Sequence, residues 1–525
     1  MSNAGLDRRR FLQTAAGSAA LGMAAGCSAN PETQPAGNAK GEPGPNVLVI
    51  MTDQHRADLM TCVGRDLVPT PNIDRIAERG VRFEHAWCPY PVCVASRMSL
   101  LTGLYSHSTG AINNDDPLDW RYRTMAHHFA DQGYLTGLIG KMHFNDAHNH
   151  GFEYYMSIND WLMYLGPQVQ LYANEIASHQ HGTHFFKSVN DSGAGFPDQE
   201  GLWGGKGGIS PWAGKVKRYP FTTCTSEMDA EHHLDMFLAR ETENFLKRYR
   251  EQPFFLVTSF MKPHTPFFPP REWAEKYPID TMELPEIGDI SGYPPHIQRR
   301  INNYKNKDQQ ALRAGRAGYL GNLAFADTCV GYVLDALERE GLADDTIIVY
   351  TSDHGEMDGD HGLFQKFCLF EPSVQVPLIV SYPKKIPQGK VTQALAEYIG
   401  IYPTLVELTG VAQPEGMTVV PVEGAPESMD GRSFAQLALQ PDSAGPDYIY
   451  SEYLLRSNTP QYAVRDARYK YIFNHGSTHE LYDMEADPGE TVNRIDDQGL
   501  SAIKNQLHEQ LFERYNPENN PYRTA

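Results

Sequence analysis

Apolar and polar residues alternate along this chain in blocks that predict strands and helices. Five short, continuous apolar runs are typical of strands buried on both faces of a sheet. These runs are residues 47–51, 134–139, 254–260, 346–350 and 377–380. Segments with helical periodicity lie between them, at residues 73–79, 95–104, 125–132, 230–248 and 311–340. The alternation favours an α/β fold with a large, mostly parallel mixed sheet that is flanked by helices.

Residues 151–220 interrupt this alternation. The segment is rich in glycine, histidine and aromatic residues, and it holds Trp161, Trp203 and Trp212. Long connections without a helix or strand of their own are usually functional, so we expect an insertion that covers one end of the sheet. An insertion without a role in function fits the same composition.

The pattern changes again after residue 410. Residues 410–430 indicate a connecting loop, and an amphipathic helical segment spans 500–515. Strand-like segments between them are residues 448–453, 461–465 and 469–473. The pattern predicts a main α/β domain at 46–410 and a small C-terminal α+β subdomain at 430–525, in which a helix packs on an antiparallel sheet.

The first 45 residues are interpreted as a targeting segment, separate from the fold. Arg8 and Arg9 precede an Ala/Gly-rich stretch, as in twin-arginine export signals. The sequence Ala25-Gly26-Cys27 is similar to a lipoprotein cleavage site, after which Cys27 would carry the lipid. We expect an export signal at 1–27, a flexible linker at 28–45, and a protein that is periplasmic or held on the membrane by this lipid. A plain export signal cut nearby is the alternative.

Composition narrows the classes of function. The chain has 525 residues, with 45 Lys+Arg against 65 Asp+Glu and a net charge of −20. This charge argues against a nucleic-acid partner, but it leaves room for a locally basic pocket that binds an anion. The seven cysteines include no CxxC pair, which disfavours zinc-ribbon and thioredoxin-like sites.

Polar side chains follow four of the predicted strands at their carboxyl ends. The four segments are Asp53-Gln54-His55-Arg56, Lys141-Met142-His143, Lys262-Pro263-His264 and Asp353-His354-Gly355. Ligands of open parallel sheets bind beyond the carboxyl ends of the strands, so we expect these segments to meet at one edge. Each aspartate alone could be a helix N-cap. That interpretation does not explain why lysines and histidines gather at the same edge.

Four of these residues could bind a divalent cation. Asp53, Gln54 and Asp353 offer oxygen ligands, and His354 offers an imidazole. Oxygen-rich sets favour Ca²⁺ or Mg²⁺, whereas the imidazole leaves Mn²⁺ and Zn²⁺ open.

Cys93 precedes a predicted helix that begins near Ala95. At that position the helix dipole favours anions and lowers the pKa of a thiol, and Arg97 lies one turn further along. A buried free cysteine is the plain interpretation. A thiolate nucleophile, as in cysteine hydrolases, needs a paired histidine and leaves the cation ligands unexplained. Nearby residues with no assigned role are His55, Tyr90, His107 and Asn113.

Together these motifs resemble the type I sulfatases of the alkaline phosphatase superfamily. The segments that carry the resemblance are Thr70-Pro71-Asn72-Ile73-Asp74, Cys93-Val94-Ala95-Ser96-Arg97, Leu101-Thr102-Gly103, the lysine–histidine pairs above, Asp353-His354-Gly355, Gly362-Leu363-Phe364-Gln365-Lys366 and Leu481-Tyr482-Asp483. In that family a separate maturase oxidises the cysteine to formylglycine. Two departures are Gln54, where many members have a second aspartate, and Ala95 in place of the commoner proline.

The resemblance implies an alkaline phosphatase-like fold and a mechanism. A formylglycine made from Cys93 hydrates, and one hydroxyl attacks the sulfur of a sulfate monoester, with one divalent metal as Lewis acid. Charge on the sulfuryl oxygens would be stabilised by Arg97, Lys141 and Lys366. His264 would protonate the leaving alcohol, with Lys366 or Lys262 as competitors, and His143 would accept the proton of the second hydroxyl.

Three functions remain compatible with the sequence. The favoured one is hydrolysis of sulfate monoesters on sulfated carbohydrates, because the context of the substrate-binding Lys262 and of His264 is similar to that of carbohydrate sulfatases. Phosphonate monoester or phosphodiester hydrolysis would use nearly the same residues. A lipoprotein that binds sulfated glycans without catalysis is the third, and it does not explain the intact segment from Cys93 to Arg97.

Overall fold

A computed structural model describes residues 44–170, 225–226, 228–514 and 516–523. Several predictions fall outside these residues. They concern the export signal with Arg8, Arg9 and Cys27, most of the linker, and the part of the insertion with Trp203 and Trp212.

The described residues contain twelve strands in two sheets and a set of mostly short helices. The strands are β1 (Asn46–Asp53), β2 (Gly80–Trp87), β3 (Leu135–Gly140), β4 (Tyr154–Met156), β5 (Phe254–Pro263), β6 (Thr346–Ser352), β7 (Leu378–Ser381), β8 (Lys390–Glu397), β9 (Ile449–Tyr453), β10 (Gln461–Arg465), β11 (Tyr469–Asn474) and β12 (Glu480–Asp483). The α-helices are α1 (Pro71–Glu78), α2 (Cys93–Thr102), α3 (Ser106–Thr109), α4 (Met125–Asp131), α5 (Ile158–Leu165), α6 (Leu234–Tyr249), α7 (Arg271–Ala274), α8 (Pro295–Lys305), α9 (Gln309–Arg339), α10 (Glu371–Val374), α11 (Ile401–Thr409), α12 (Ala435–Leu439) and α13 (Ser501–Arg514).

The large sheet has eight strands in the order β4-β3-β5-β1-β6-β7-β2-β8. Every neighbouring pair is parallel except the two that involve β7, which runs antiparallel to β6 and β2. The predicted fold class, a mostly parallel mixed sheet flanked by helices, is therefore confirmed.

The central strands are buried on both faces, which explains their continuous apolar runs. Val47 and Val49 of β1 belong to the core on one side of the sheet. Leu48 and Ile50 belong to the core on the other side. Both cores exclude water from the sheet, so neither face required polar positions.

Strands β2, β4 and β8 of this sheet were not predicted. In β2, polar residues interrupt the apolar ones, and the strand begins two residues after α1 ends, without a turn sequence. Gly80 is required at this junction, because a Cβ atom there would lie 2.2 Å from the carbonyl oxygen of Val380 in β7. Strand β4 and helix α5 lie in the predicted insertion, so the first part of that segment extends the sheet through pairing with β3.

The small sheet is antiparallel and has the order β12-β11-β10-β9. Its side chains alternate between two cores. Ala463 and Ile472 contribute to the core of the large sheet. Tyr471 and Phe473 face the opposite way and share a core with Leu507 of α13. The predicted C-terminal antiparallel sheet with its packed helix is present, and β12 is an additional strand.

Helix α9 spans 31 residues and packs against α6 and β5. Its Gly331 lies close to α1, because a Cβ atom there would lie 2.4 Å from Oδ1 of Asn72. Within the described residues, no helix combines the length and the apolar character that crossing a membrane requires.

Candidate active site

Four adjacent strands deliver the predicted polar segments to one edge of the sheet. Strands β3, β5, β1 and β6 are consecutive in the sheet order and parallel to one another. Lys141 follows β3, His264 follows β5, Asp53 ends β1, and Asp353 follows β6. The expectation that these segments meet is confirmed, since a parallel sheet places the carboxyl ends of its strands together.

Cys93 is the first residue of α2, two residues before the predicted start of the helix. Its side chain is buried, and Sγ lies 3.2 Å from Nε2 of His354 and 3.6 Å from Nζ of Lys366. Oδ1 of Asp53 lies 3.9 Å from the same sulfur. The helix N-terminus therefore presents the reactive position directly to the strand ends.

Charged neighbours govern the ionisation of the thiol. Burial alone would raise the pKa of Cys93, but Lys141, Lys366 and His354 hold it well below its usual range. A thiolate is consequently the favoured form of an unmodified Cys93, as in reactive cysteines near cationic groups.

Arg97 joins the two aspartates. Its Nε donates to Oδ2 of Asp353 at 2.7 Å, and its Nη2 donates to Oδ2 of Asp53 at 2.9 Å. Nη1 donates to the carbonyl oxygen of Lys141 at 2.5 Å and to Oγ of Ser259 at 2.9 Å. The guanidinium is fully buried, and it stabilises the two carboxylates, which carry like charges, side by side. The predicted contact of Arg97 with a substrate oxygen stays a prediction.

The predicted cation ligands lie together, and their donor atoms suit a divalent cation. One donor atom from each of Asp53, Cys93, Asp353 and His354 lies within 4.8 Å of the others. Nδ1 of His354 is 3.0 Å from the carbonyl oxygen of Gly355. Because a carbonyl can only accept a hydrogen bond, Nδ1 carries a proton, and Nε2 is the nitrogen that faces the cluster and can bind a cation once it is unprotonated. Burial alone would lower the pKa of His354, but the carboxylate of Asp353 raises it. Carboxylate oxygens with one imidazole fit Ca²⁺, Mg²⁺ or Mn²⁺.

Gln54 completes this group from the end of β1. Its backbone lies in the left-handed region, with φ of 68°, and its N–H donates to Oδ1 of Asp353 at 3.1 Å. Its Oε1 accepts from Nζ of Lys366 at 2.7 Å. Strained backbone conformations of this kind occur where a site fixes the geometry of its ligands; His143, with φ of 67°, is a second case at this site.

Lys366 and His264 form a buried pair. Nζ of Lys366 lies 3.0 Å from Nε2 of His264, whose Nδ1 is 2.5 Å from the carbonyl oxygen of Thr265. Nδ1 must donate to that carbonyl, so Nε2 accepts from the lysine. Burial, followed by the charge of Lys366, lowers the pKa of His264 to about 4. The imidazole is therefore neutral at pH 7 and accepts a hydrogen bond from Lys366.

Lys141 and His143 reach the site from the end of β3. Nζ of Lys141 lies 2.5 Å from Oδ2 of Asp53. His143 is buried beside the sulfur of Cys93, to which it hydrogen-bonds, and burial lowers its pKa. A neutral imidazole next to position 93 can accept a proton there.

Lys262 differs from the other predicted site residues. Its Nζ donates to the carbonyl oxygen of Pro266 at 3.3 Å, and its charge acts on the buried Asp235 and His233. Asp235 lies in α6, and His233 directly precedes this helix. The ammonium groups that lower the pKa of Cys93 most strongly belong to Lys141 and Lys366. The contacts of Lys262 thus indicate a structural role, and its predicted contact with substrate stays a prediction.

The unassigned residues pack beside the site. Nδ1 of His55 is 2.8 Å from the hydroxyl of Tyr350. His107 pairs with Glu452 of β9 at 2.9 Å. Tyr90 lies in the core between the small sheet and α13, and Asn113 is exposed. Glu356 was not among the predicted site residues, and its carboxylate accepts a hydrogen bond from Nε2 of Gln54 at 2.5 Å.

Comparison with known proteins supports the resemblance to sulfatases. The family model described as Sulfatase matches residues 45–411, and a second one, described as N-sulphoglucosamine sulphohydrolase, C-terminal, matches 359–516. An arylsulfatase of Clostridium perfringens is 29% identical over 460 residues, covering 86% of this chain and 90% of the relative. An N-acetylglucosamine-6-O-sulfatase of Bacteroides thetaiotaomicron is 28% identical over 518 residues, covering 89% and 86%.

The fold is shared with solved structures. The crystal structure of the phosphonate monoester hydrolase of Agrobacterium radiobacter superimposes with a TM-score of 0.72 at 23% identity, covering 90% of this chain and 95% of that one. The Sulfatase model spans well over half of the chain and includes every residue of the site described above. This chain therefore belongs to the sulfatase family, the type I sulfatases of the alkaline phosphatase superfamily, and is a sulfuric ester hydrolase.

Proposed function

We propose that this sulfatase hydrolyses sulfate monoesters of carbohydrates, using a formylglycine made from Cys93 and one divalent cation. The observation that carries the proposal is the position of the Cys93 sulfur, buried at a helix N-terminus between Lys366 and His354. A nucleophile at that position faces two lysines and the cation ligands at once. The maturase that oxidises the cysteine is a required partner of the protein.

The charge balance suits a small anion. Arg97, Lys141 and Lys366 bring three positive charges to the site against the two of opposite sign on Asp53 and Asp353. The carboxylate of Glu356, which accepts a hydrogen bond from Gln54, offsets this excess, and a bound divalent cation restores it. With the cation bound, the pocket is locally cationic in a chain of net charge −20, and it attracts the sulfate group of an ester.

The cation would be held by Asp53, Gln54, Asp353 and His354, with Ca²⁺ as the first choice and Mg²⁺ or Mn²⁺ as alternatives. When bound, it supplies Lewis-acid stabilisation of charge on the sulfuryl oxygens. Arg97 keeps the two aspartates in place, so it contributes by fixing the positions of the cation ligands. Lys141, whose Nζ lies on Asp53, can also donate to a sulfuryl oxygen.

Proton transfers are assigned to three side chains. A hydrated formylglycine at position 93 would supply the attacking hydroxyl. His143, neutral and beside position 93, accepts a proton at that side chain. Lys366 and His264 act as a pair toward the leaving alcohol, because the ammonium holds the proton and the neutral imidazole orients it.

A sugar as the alcohol is supported by one relative and one family model. The relative from Bacteroides thetaiotaomicron bears the name N-acetylglucosamine-6-O-sulfatase, and the model over residues 359–516 describes the C-terminal part of an N-sulphoglucosamine sulphohydrolase. The relative from Clostridium perfringens bears the name arylsulfatase. Export through the N-terminal signal, with a lipid anchor at Cys27, would place the enzyme where sulfated glycans occur.

A paired hydrolysis assay tests the proposal. Protein produced with the maturase is given an aryl sulfate, an aryl phosphonate monoester and a panel of sulfated monosaccharides, with Cys93→Ala as the blank. We expect sulfate release, fastest from a sulfated sugar and absent in the blank. A clear preference for the phosphonate would replace the proposed reaction by its superfamily rival. If mass spectrometry shows formylglycine in the peptide of Cys93 and the protein binds glycans without hydrolysing them, the catalytic proposal is rejected in favour of a glycan-binding protein.

A further inference from the structure

A buried carboxylate lies directly behind the proposed cation ligands. Glu356 is 1% exposed, and within the described residues no lysine, arginine or histidine pairs with it within 4.0 Å. Its Oε1 accepts from the backbone N–H of Asp358 at 2.9 Å and also from the N–H of Gln365. Burying a carboxylate without a cationic partner costs free energy, even when hydrogen bonds satisfy its oxygens. Its presence at this position therefore indicates a function.

The amide of Gln54 connects this carboxylate to the site. Its Nε2 donates to Oε2 of Glu356 at 2.5 Å, and its Oε1 accepts from Nζ of Lys366 at 2.7 Å. Rotating the amide by half a turn would place NH₂ against an ammonium and oxygen against a carboxylate. Both contacts would be repulsive, so one orientation is fixed, with the amide oxygen on the side of Cys93.

We propose that Glu356 is a positioning residue that takes over, behind the ligands, the task of the second aspartate that many sulfatases carry where this chain has Gln54. It turns the amide oxygen of Gln54 toward the cation site. Through the N–H of Gln365 it also fixes the segment that carries Lys366. The inference rests on the proposed cation site and adds a residue that the sequence analysis did not identify.

The hydrogen bond also strengthens the amide as a ligand. A carboxylate that accepts from Nε2 draws positive charge to the nitrogen and leaves more negative charge on Oε1. A neutral glutamine thereby gains part of the character of an acidic ligand. Such partners behind a ligand commonly change metal affinity by about 10–100-fold when they are replaced.

Complementary substitutions separate this role from simple packing. Glu356→Gln keeps the size of the side chain but turns an NH₂ group toward the NH₂ of Gln54. Gln54→Glu places two carboxylates face to face. The double variant Gln54→Glu/Glu356→Gln exchanges donor and acceptor across the pair, so the hydrogen bond returns and the total charge is that of the native protein. A contact that acts only through the size of the side chain would be unaffected by Glu356→Gln and would need no rescue.

Calorimetric titration of Ca²⁺ and of Mn²⁺ provides the readout. The protein is produced without the maturase, so that Cys93 is unmodified and turnover plays no part. We expect Glu356→Gln to weaken cation binding by about 10–100-fold and the double variant to recover to within about threefold of the native value. The matched control is Glu480→Gln, another buried glutamate with hydrogen-bond partners, which lies on β12 and should leave affinity unchanged.

The outcomes are distinguishable. If the native protein binds neither cation, the proposed cation site fails. If the native protein binds and Glu356→Gln binds equally well, the site stands and the role of Glu356 is rejected. Loss in the single variant without recovery in the double variant also rejects the orientation mechanism. Should Glu356→Gln not fold, Gln54→Met removes the same donor and acceptor, and native affinity in that variant would overturn the inference.

Discussion

The sulfur of Cys93 lies 3.2 Å from Nε2 of His354, in a cluster with Asp53 and Asp353. The residue that the proposed maturation would modify thus belongs to the same donor group as the proposed cation ligands. Before modification this group offers one soft sulfur, one imidazole and two carboxylates. The proposed modification would remove the sulfur, and oxygen donors would then dominate.

This arrangement predicts that the unmodified protein prefers thiophilic cations. Protein made without the maturase should bind Cd²⁺ or Zn²⁺ more tightly than Cys93→Ser does, because thiolate is the stronger ligand for these ions. The measurement is the ultraviolet sulfur-to-cadmium charge-transfer absorbance during a titration. We expect it in the native chain and not in Cys93→Ser. Cys88→Ser, at another buried cysteine, should keep the band; a band that persists without Cys93 would contradict the prediction.

Arg97 should matter for both stability and activity. Arg97→Ala leaves the Oδ2 atoms of Asp53 and Asp353 without the guanidinium that bridges them, and loss of one partner of a buried ion pair costs about 3–5 kcal/mol. Arg97→Lys keeps the charge but cannot span both carboxylates, so its loss should be intermediate. Chemical unfolding and kcat/KM of the matured enzyme measure the two effects.

The control for Arg97 is Arg468→Ala, which removes an exposed arginine paired with Asp483 at 2.7 Å. Its free energy of unfolding should change by less than about 1 kcal/mol, as is usual for surface ion pairs. If Arg97→Ala unfolds at the same denaturant concentration as the native protein but has no turnover, the guanidinium acts on the substrate and does not hold the ligands.

Much of the architecture could be predicted from the sequence because the central strands are buried on both faces. β1, β5 and β6 have continuous apolar runs that no helix or loop explains equally well. Strand β8 lies at the sheet edge, and five of its eight residues are exposed or half-buried, so its sequence lacks such a run. A single hydrophobic pattern therefore indicates the interior of the sheet better than its edges.

The site was predictable in its residue types but not in its contacts. Asp53 and Asp353 follow buried strands, and strand ends of a parallel sheet must meet. Side-chain direction is not encoded so simply. Lys262 and His264 are two residues apart, yet one contacts Pro266 and the other Lys366. Those differences depend on the local backbone, which no spacing rule provides.

Buried neutral histidines should make the protein sensitive to acid. Burial lowers the pKa of His55 to about 4. Between pH 6.5 and 4 this imidazole is therefore protonated in the unfolded chain but not in the folded chain. Stability is therefore complete above pH 6.5 and falls as the pH drops through this window, by about 1.4 kcal/mol per pH unit for each such group. Other histidines that burial affects in the same direction are His233, His264 and His361.

His55→Gln tests this dependence, because the new side chain does not titrate. Urea unfolding between pH 7 and 4.5 should show a slope that is smaller by about one proton than in the native protein. His148→Gln, at an exposed histidine, is the matched control and should leave the slope as it is. An unchanged slope in His55→Gln would show that this imidazole is protonated in the folded protein.

A buried ionic network should hold the small sheet against the large one. Glu371 of α10 pairs with Arg465 at 2.8 Å and with Lys470 at 3.2 Å, and it accepts from Nε1 of Trp87 at 3.1 Å. Lys470 also pairs with Glu490 at 2.7 Å. Burial alone would raise the pKa of Glu371, but the two cations hold it at about 2. The carboxylate is therefore charged and dependent on its partners.

Lys470→Met should destabilise the fold by about 3 kcal/mol, since it leaves two buried carboxylates with one arginine. Chemical unfolding measures this loss. The double variant Lys470→Met/Glu490→Gln removes one charge of each sign and should recover part of it. Lys276→Met, at an exposed lysine 3.8 Å from Glu272, should change stability by less than about 1 kcal/mol. Equal losses in the single and double variants would mean that Lys470 acts through packing on Trp87, whose ring lies 4.8 Å from its ammonium group.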